Sequence, residues 1–366
     1  MRLAWRNLLR DRTRFALSVL GVALAIMLVL LLAGLETGLY RQLSSYLERT
    51  PGSLVVAQDG VAESLAVTSV LPPGALAQIE QTEGVDRAIP VASQFVILDL
   101  HERKQPAYLV GYDPERGGGP WTLAEGREPA ADDEAVLDRI LAGRHDLGIG
   151  DTFELMGTRF RVVGLSSGTS TWMTSFLFVR SSAAAALLRA PGAVSYVFVT
   201  SAPSADEEAV AARLRAIPGV EVTPKADVIE NDRQLMARIF SAPVRLMTGI
   251  AFVVGTLVVG LILYTATVER SREYGVVKAI GGGNRMLYAI TTTQAFVVAI
   301  AGSVAGIGLT LGAGQLVMAL RPEFLVTVEP PAVVLAVGAG VAMALLGALV
   351  PARLLAGLAP ADVFRR

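Results

Sequence analysis

The sequence predicts an α-helical membrane protein with four transmembrane helices and an extracytoplasmic α+β domain, in two lobes, inserted between helices 1 and 2. Three observations predict it. The 366 residues are 52% hydrophobic and only 18% charged, and the mean hydropathy of +0.51 is too high for an average soluble chain. Four stretches run for 21 residues or more without a charged side chain. The charges that remain are segregated by sign among the segments that join those stretches.

The first uncharged run, Phe15 to Leu35, has 21 residues. At about 1.5 Å per residue it covers a hydrocarbon core of roughly 30 Å. Runs of 23, 35 and 23 residues follow at 246–268, 286–320 and 330–352. The 35-residue run reads as one tilted helix with its ends in the interfaces, because nothing inside it offers a polar turn. Orientation follows from the Lys and Arg bias. The N-terminal basic helix 1–14, the loop 269–285 and the tail 353–366 together hold 12 basic and 4 acidic residues. Segment 36–245 holds 19 and 27, and the short loop 321–329 holds 1 and 2. Both termini and the 269–285 loop are therefore expected in the cytoplasm, with 36–245 outside. The apolar core of a cleaved leader is about 7 to 15 residues long, so the first span is expected to remain as an anchor.

Within 36–245, Leu39, Leu43, Tyr46 and Leu47 have helical spacing, which extends span one as a stalk until Pro51-Gly52 stops it. Ile229, Leu235, Met236 and Ile239 mark a second stalk descending into span two. Between the stalks, strands are expected at 53–58, 94–100 and 105–111, the last two joined by a turn at 101–104. Next come a strand at 134–137, a helix at 139–147, and a hairpin of 151–155 and 159–165 around Met156-Gly157-Thr158. A strand at 195–200, a helix over 206–217 with Ser204 as N-cap, and a strand at 220–223 complete the domain. The glycine-rich loop 113–120 links the first block to the second.

The absence of cysteine excludes disulfides, thiolate metal sites, Cys nucleophiles and redox pairs. A net charge of −1 argues against nucleic acid as a partner. Gly164-Leu165-Ser166-Ser167-Gly168 has the form of a nucleophile elbow, but the residues after it read as loop, and His101 and His145 both precede the serine in chain order. A hydrolase is therefore set aside. The two histidines read as solvated side chains rather than metal ligands, and Asp132-Asp133-Glu134 as a solvated turn. No G-x-x-x-x-G-K-[ST] pattern occurs, so this chain is expected to hydrolyse no nucleotide.

In span three, Gly302, Gly306, Gly308 and Gly312 give small-xxx-small pairs, and Gly340 and Ala344 lie on a small-residue face of span four. These read as packing seams, for a tight bundle or an oligomer. The 269–285 loop is longer than an inter-span turn requires. It reads as a short helix ended by glycines, with Glu269 and Glu273 on one side and Val276, Val277 and Ile280 as apolar contacts, the pattern of a docking surface for another protein. An amphipathic helix lying on the bilayer is the alternative.

The loop ERSREYGVVKAIGGG is similar to the E-R-x-x-E-x-G-x-L-[KR]-A-x-G signature of the FtsX/MacB-like permease family of ABC transporters. The opening LAWRNLLRDRTRFALSVLGVALAI and the close PARLLAGLAPADVFRR resemble the same family, as do AEGREPAADDEAVLD, LGIGDTFEL and FRVVGL in its extracytoplasmic core domain. The resemblance implies a permease subunit in a bacterial plasma (inner) membrane, paired with a second permease copy or paralogue. It also implies a cytoplasmic ABC ATPase dimer that binds ATP and Mg, with no cofactor in this chain, a periplasmic adaptor in some members, and membrane lipid around the spans. By resemblance, Glu269, Arg270, Glu273, Gly275, Lys278, Ala279 and Gly281 form the helix docked on the ATPase. The implied function is coupling of a partner's ATP hydrolysis to export, extraction or mechanical work on a hydrophobic or envelope substrate. The alternative is an FtsX-type mechanotransmitting regulator of an external cell-wall hydrolase.

Overall fold

The computed structural model describes residues 12–64, 68–100, 103–171, 173–269, 271–280 and 283–357. The N-terminal basic segment up to residue 11, the turn residues His101 and Glu102, Arg270, Gly281 and the closing residues from 358 lie outside the described residues. The chain divides into two units. One comprises Met1–Gly38, Phe240–Arg321 and Leu325–Arg366, the other Leu39–Ile239 and Pro322–Phe324.

Among the described residues, four helices are long and apolar enough to cross a membrane. They are α1 (Arg12–Arg49), α6 (Lys225–Glu269), α8 (Asn284–Leu320) and α9 (Pro330–Gly357). A nine-residue helix, α7 (Ser271–Ala279), sits between α6 and α8. In the first unit, Val22, Ile26 and Leu30 of α1 pack with Val259 of α6, Val298 and Ala299 of α8, and Met343 and Ala344 of α9. Lipid tails are as apolar as these side chains, so close backbone approach rather than water exclusion holds such helices together. The glycines show where that happens. A Cβ at Gly302 would meet Val22 at 2.5 Å, one at Gly306 would meet the Ala23 carbonyl at 2.8 Å, and one at Gly340 would meet Ile26 at 2.6 Å. Large side chains of α6, including Leu246, Leu257 and Leu261, are exposed, as suits a lipid-facing helix.

Between α1 and α6 the chain forms ten strands among the described residues: β1 (Leu54–Gln58), β2 (Val85–Leu100), β3 (Arg103–Tyr112), β4 (Leu123–Gly126), β5 (Glu134–Asp138), β6 (Thr152–Leu155), β7 (Thr158–Ser166), β8 (Ser175–Arg180), β9 (Tyr196–Ser201) and β10 (Val220–Pro224). Short helices α2 (Ala75–Gln81), α3 (Arg139–Arg144), α4 (Ser181–Leu187) and α5 (Glu207–Arg215) intervene. The strand order is β10-β1-β9-β2-β3-β8-β5-β7-β4, with β6 pairing β2 and β7. Strand β2 joins two halves: residues 85–91 pair with β9, and 92–100 pair with β3. Apolar side chains of α2 and α5 cover the β1, β9, β10 region, and those of α3 and α4 cover β3, β5, β7 and β8. A further cluster gathers Tyr46 and Leu47 from α1 and Val228 from α6 against Phe176, Phe178 and Phe198.

Local chemistry explains several element ends. Met156 and Gly157 both have positive φ, 52° and 80°, and Leu155 pairs with Thr158, giving the two-residue turn that matches strand twist. Asp138 caps α3 by accepting from the N–H groups of Ile140 and Leu141. That helix ends at Arg144, earlier than the expected Leu147, because Asp146 is left-handed and Leu147 N–H returns to the Ala142 carbonyl. The expected cap Ser204 is corrected: Asp206 holds the N-cap of α5, since Ala205 N–H closes a turn onto Ala202 and leaves Ser204 within it.

Candidate functional site

The expected docking segment forms a helix. Glycine flanks it: Gly283, in an extended conformation, is the N-cap of α8. Ile280 is 81% exposed and Val276 47% exposed, and Ile280 N–H closes the last turn onto the Val276 carbonyl. Spacing of i, i+4 puts these two side chains on one edge, so an unshielded apolar edge lies on a short charged helix. Gly275 is buried, Lys278 half-buried and Ala279 exposed, while Glu269 closes α6. The side chain of Glu273 lies outside the described residues, as do Arg270 and Gly281.

The small residues of α8 divide by face. Gly302 and Gly306 pack on α1, but a Cβ added at Gly308 or Gly312 would meet no heavy atom within 4 Å. At about 100° per residue, position 308 is turned roughly 240° from 302 and so looks away from the seam. Ala344 is fully buried in the α9 face that also holds Gly340. An apolar groove of about 420 Å³ runs between α1 and α6, floored by Gly21, Ala25, Ala251 and Gly255.

The serine of the elbow-like motif is 0% exposed. Its Oγ donates to Thr169 Oγ1 at 2.6 Å, and Thr169 Oγ1 in turn donates to Asp138 Oδ2 at 2.6 Å, with the Leu137 carbonyl 3.2 Å from the Ser166 Oγ. The chain of hydroxyls thus ends in the carboxylate that caps α3. Ser166 ties β7 to a helix start and is closed to a substrate. His145, expected in solvent, is buried at the C-cap of α3, where its backbone N–H donates to the Ala142 carbonyl. Among the described residues no group of three His, Cys, Asp or Glu is placed to hold a metal.

Glu134 is a correction of another kind. Asp132 and Asp133 are exposed as expected, but Glu134 is 3% exposed. Its carboxylate accepts from Arg127 at 2.7 and 2.6 Å, Arg161 at 2.9 Å and Ala130 N–H at 2.8 Å. Hydrogen bonds from Arg127 hold its pKa down at about 2. Sequence spacing alone does not mark it, because Arg161 comes 27 residues later on β7.

Among the described residues, four lipid-compatible helices, ten strands that fall between the first two of them in chain order, and a short helix between the second and third make the architecture of a membrane protein with a mixed-sheet domain. Residues 15–217 match the profile of the MacB-like periplasmic core domain, and residues 245–360 that of the FtsX-like permease C-terminal region. The chain belongs to the FtsX/MacB-like permease family of ABC transporters, and is a membrane protein with an extracytoplasmic domain. An uncharacterised ABC transporter permease of Mycobacterium tuberculosis is 25% identical over 317 residues, 84% of each chain. A hemin transport system permease protein of Staphylococcus haemolyticus is 24% identical over 284 residues, 77% of this chain and 76% of that one. A pyoverdine export ATP-binding/permease protein of Pseudomonas fluorescens is 24% identical over 85% of this chain and 51% of its own length. Among solved structures, the periplasmic region of MacB from Actinobacillus actinomycetemcomitans aligns with 50% of this chain and 94% of its own, at 14% identity and a TM-score of 0.39.

Proposed function

We propose that this chain couples ATP hydrolysis by a separate cytoplasmic ABC ATPase dimer to export, extraction or mechanical work on a hydrophobic or envelope substrate. The observation that carries the reading is α7, a short helix between two spans with the apolar edge of Val276 and Ile280 exposed. Glu269, Arg270, Glu273, Gly275, Lys278, Ala279 and Gly281 are its docking residues. The termini and α7 lie in the cytoplasm of a bacterium, and the two-lobed domain 36–245 lies outside, by the charge asymmetry. A relative whose name joins ATP-binding and permease functions supports a working association between a permease of this kind and an ATPase.

A second permease, identical or paralogous, completes the complex. The outward-facing pair Gly308 and Gly312 supports it. The apolar groove between α1 and α6 supports a hydrophobic cargo, as do relatives named for hemin transport and pyoverdine export. A periplasmic adaptor is a further partner in this reading.

The second reading, mechanotransmission to an external hydrolase, is favoured by one feature. Helix α1 is unbroken from residue 12 to 49, and Tyr46 near its end stacks on Phe176 at 5.5 Å and meets Phe198 edge-on at 6.0 Å. Such a helix moves the sheet it is rooted in, with or without cargo.

Glu273→Lys tests the coupling. Charge reversal on the docking helix is expected to leave insertion and dimerisation intact while lowering ATPase association at least about tenfold. ATPase binding and activity at the wild-type level in that variant would remove the docking assignment.

A further inference from the structure

The connection between α8 and α9, residues 321–329, contains neither helix nor strand before Pro330, yet its contacts are ordered along α1. Gln42 Nε2 donates to the carbonyl of Glu323 at 3.0 Å. A Cβ at Gly38 would overlap the Leu325 carbonyl oxygen, so only glycine fits there. Thr327 N–H donates to the Gly34 carbonyl at 3.0 Å. Positions 34, 38 and 42 share one face of a helix and span about 12 Å. Four steps of extended chain, from 323 to 327, cover about 13 Å. The lengths agree, so the segment runs antiparallel beside α1 as a strap.

One end of the strap is fixed by charge. Residues Pro322–Phe324 belong to the second unit. There the Glu323 side chain, 7% exposed, is ion-paired with Arg144 in the last turn of α3. A buried carboxylate is unfavourable unless it is paired, and such a pair fixes one register where apolar loop contacts would allow several. A connection that only reversed the chain between two helices would need no buried carboxylate held by an arginine of another element.

We propose that this strap is a mechanical link in addition to the two stalks, with Arg144 and Glu323 as the positioning residues that carry motion of α8 and α9 into the α3 region. The proposal rests on the reading that the extracytoplasmic domain is driven by ATP-dependent movement of the spans. The test uses the full chain with its co-expressed ATPase in nanodiscs, followed by amide hydrogen exchange with and without ATP and vanadate. Residues 139–147 of the wild type are expected to change exchange with ATP. Inserting Gly-Ser-Gly-Ser both before Arg321 and after Glu329 slackens the strap and leaves the ion pair in place. That variant is expected to reduce the change about fivefold or more. Arg144→Glu and Glu323→Arg should each do the same, and the double exchange should restore it. A pair that is merely structural would leave the slackened chain at the wild-type response, which overturns the proposal. An ATP response in 37–49 and 225–239 with none in 139–147 of the wild type overturns the strap alone. No ATP response anywhere in 36–245 overturns the reading beneath it.

Discussion

At Glu134 a single buried carboxylate collects two guanidinium groups and two backbone N–H groups. The Arg127 hydrogen bonds lower its pKa from 4.5 to about 2. A depressed carboxylate pKa stabilises the fold above the unfolded value and loses that contribution as pH falls through the folded one. Glu134→Gln should therefore cost on the order of 2 kcal/mol at pH 7, with both arginines half in water and the pair screened accordingly. Thermal unfolding of the two proteins should differ at pH 7 and converge as pH approaches 2. Equal midpoints at pH 7 would show that the network adds nothing. The same residue marks a limit of reading by local pattern: the acidic run at 132–134 looks uniformly solvated, and what removes Glu134 from it is β7 bringing Arg161 alongside β5. Ser166 is the converse case, since a motif spacing that fits a nucleophile turns out to serve a helix cap.

At the scale of elements, glycine position decides packing in the spans. Gly306→Leu would drive a side chain into the Ala23 carbonyl and Ile26, at 2.8 and 2.9 Å from the first added carbon. It should destabilise the bundle by about 1 to 3 kcal/mol, whereas Gly312→Leu, with nothing within 4 Å, should leave the detergent-solubilised monomer's melting temperature unchanged. A matching loss in both would contradict the assigned face. The four long helices were legible because an uncharged run of that length is suited to lipid and poorly suited to water. Strand β8 was not, since Ser175–Val179 is buried on both sides between β3 and β5 and shows no alternation. The first half of β2 was hidden by Pro90, which is tolerated there because β3 begins to pair only at Ala92. Helices α2 and α4, seven residues each, are too short for a 3.6-residue period to repeat.

For the whole molecule, α7, the stalks and the aromatic cluster around Tyr46 are, in the proposed function, parts driven together by a partner's ATP hydrolysis. The sequence motif at 269–283 anticipated a short helix between spans two and three; on the proposed reading its occupant lies on another chain, so contacts within this one leave the individual docking residues unmarked. Native mass spectrometry of the tagged protein, extracted gently from its own membrane, tests the central claim most directly. The account predicts two permease subunits, identical or paralogous, with two ATPase subunits, and loss of the ATPase pair in Glu273→Lys. Reproducible recovery of this chain, as monomer or dimer, with no ATPase bound would contradict it.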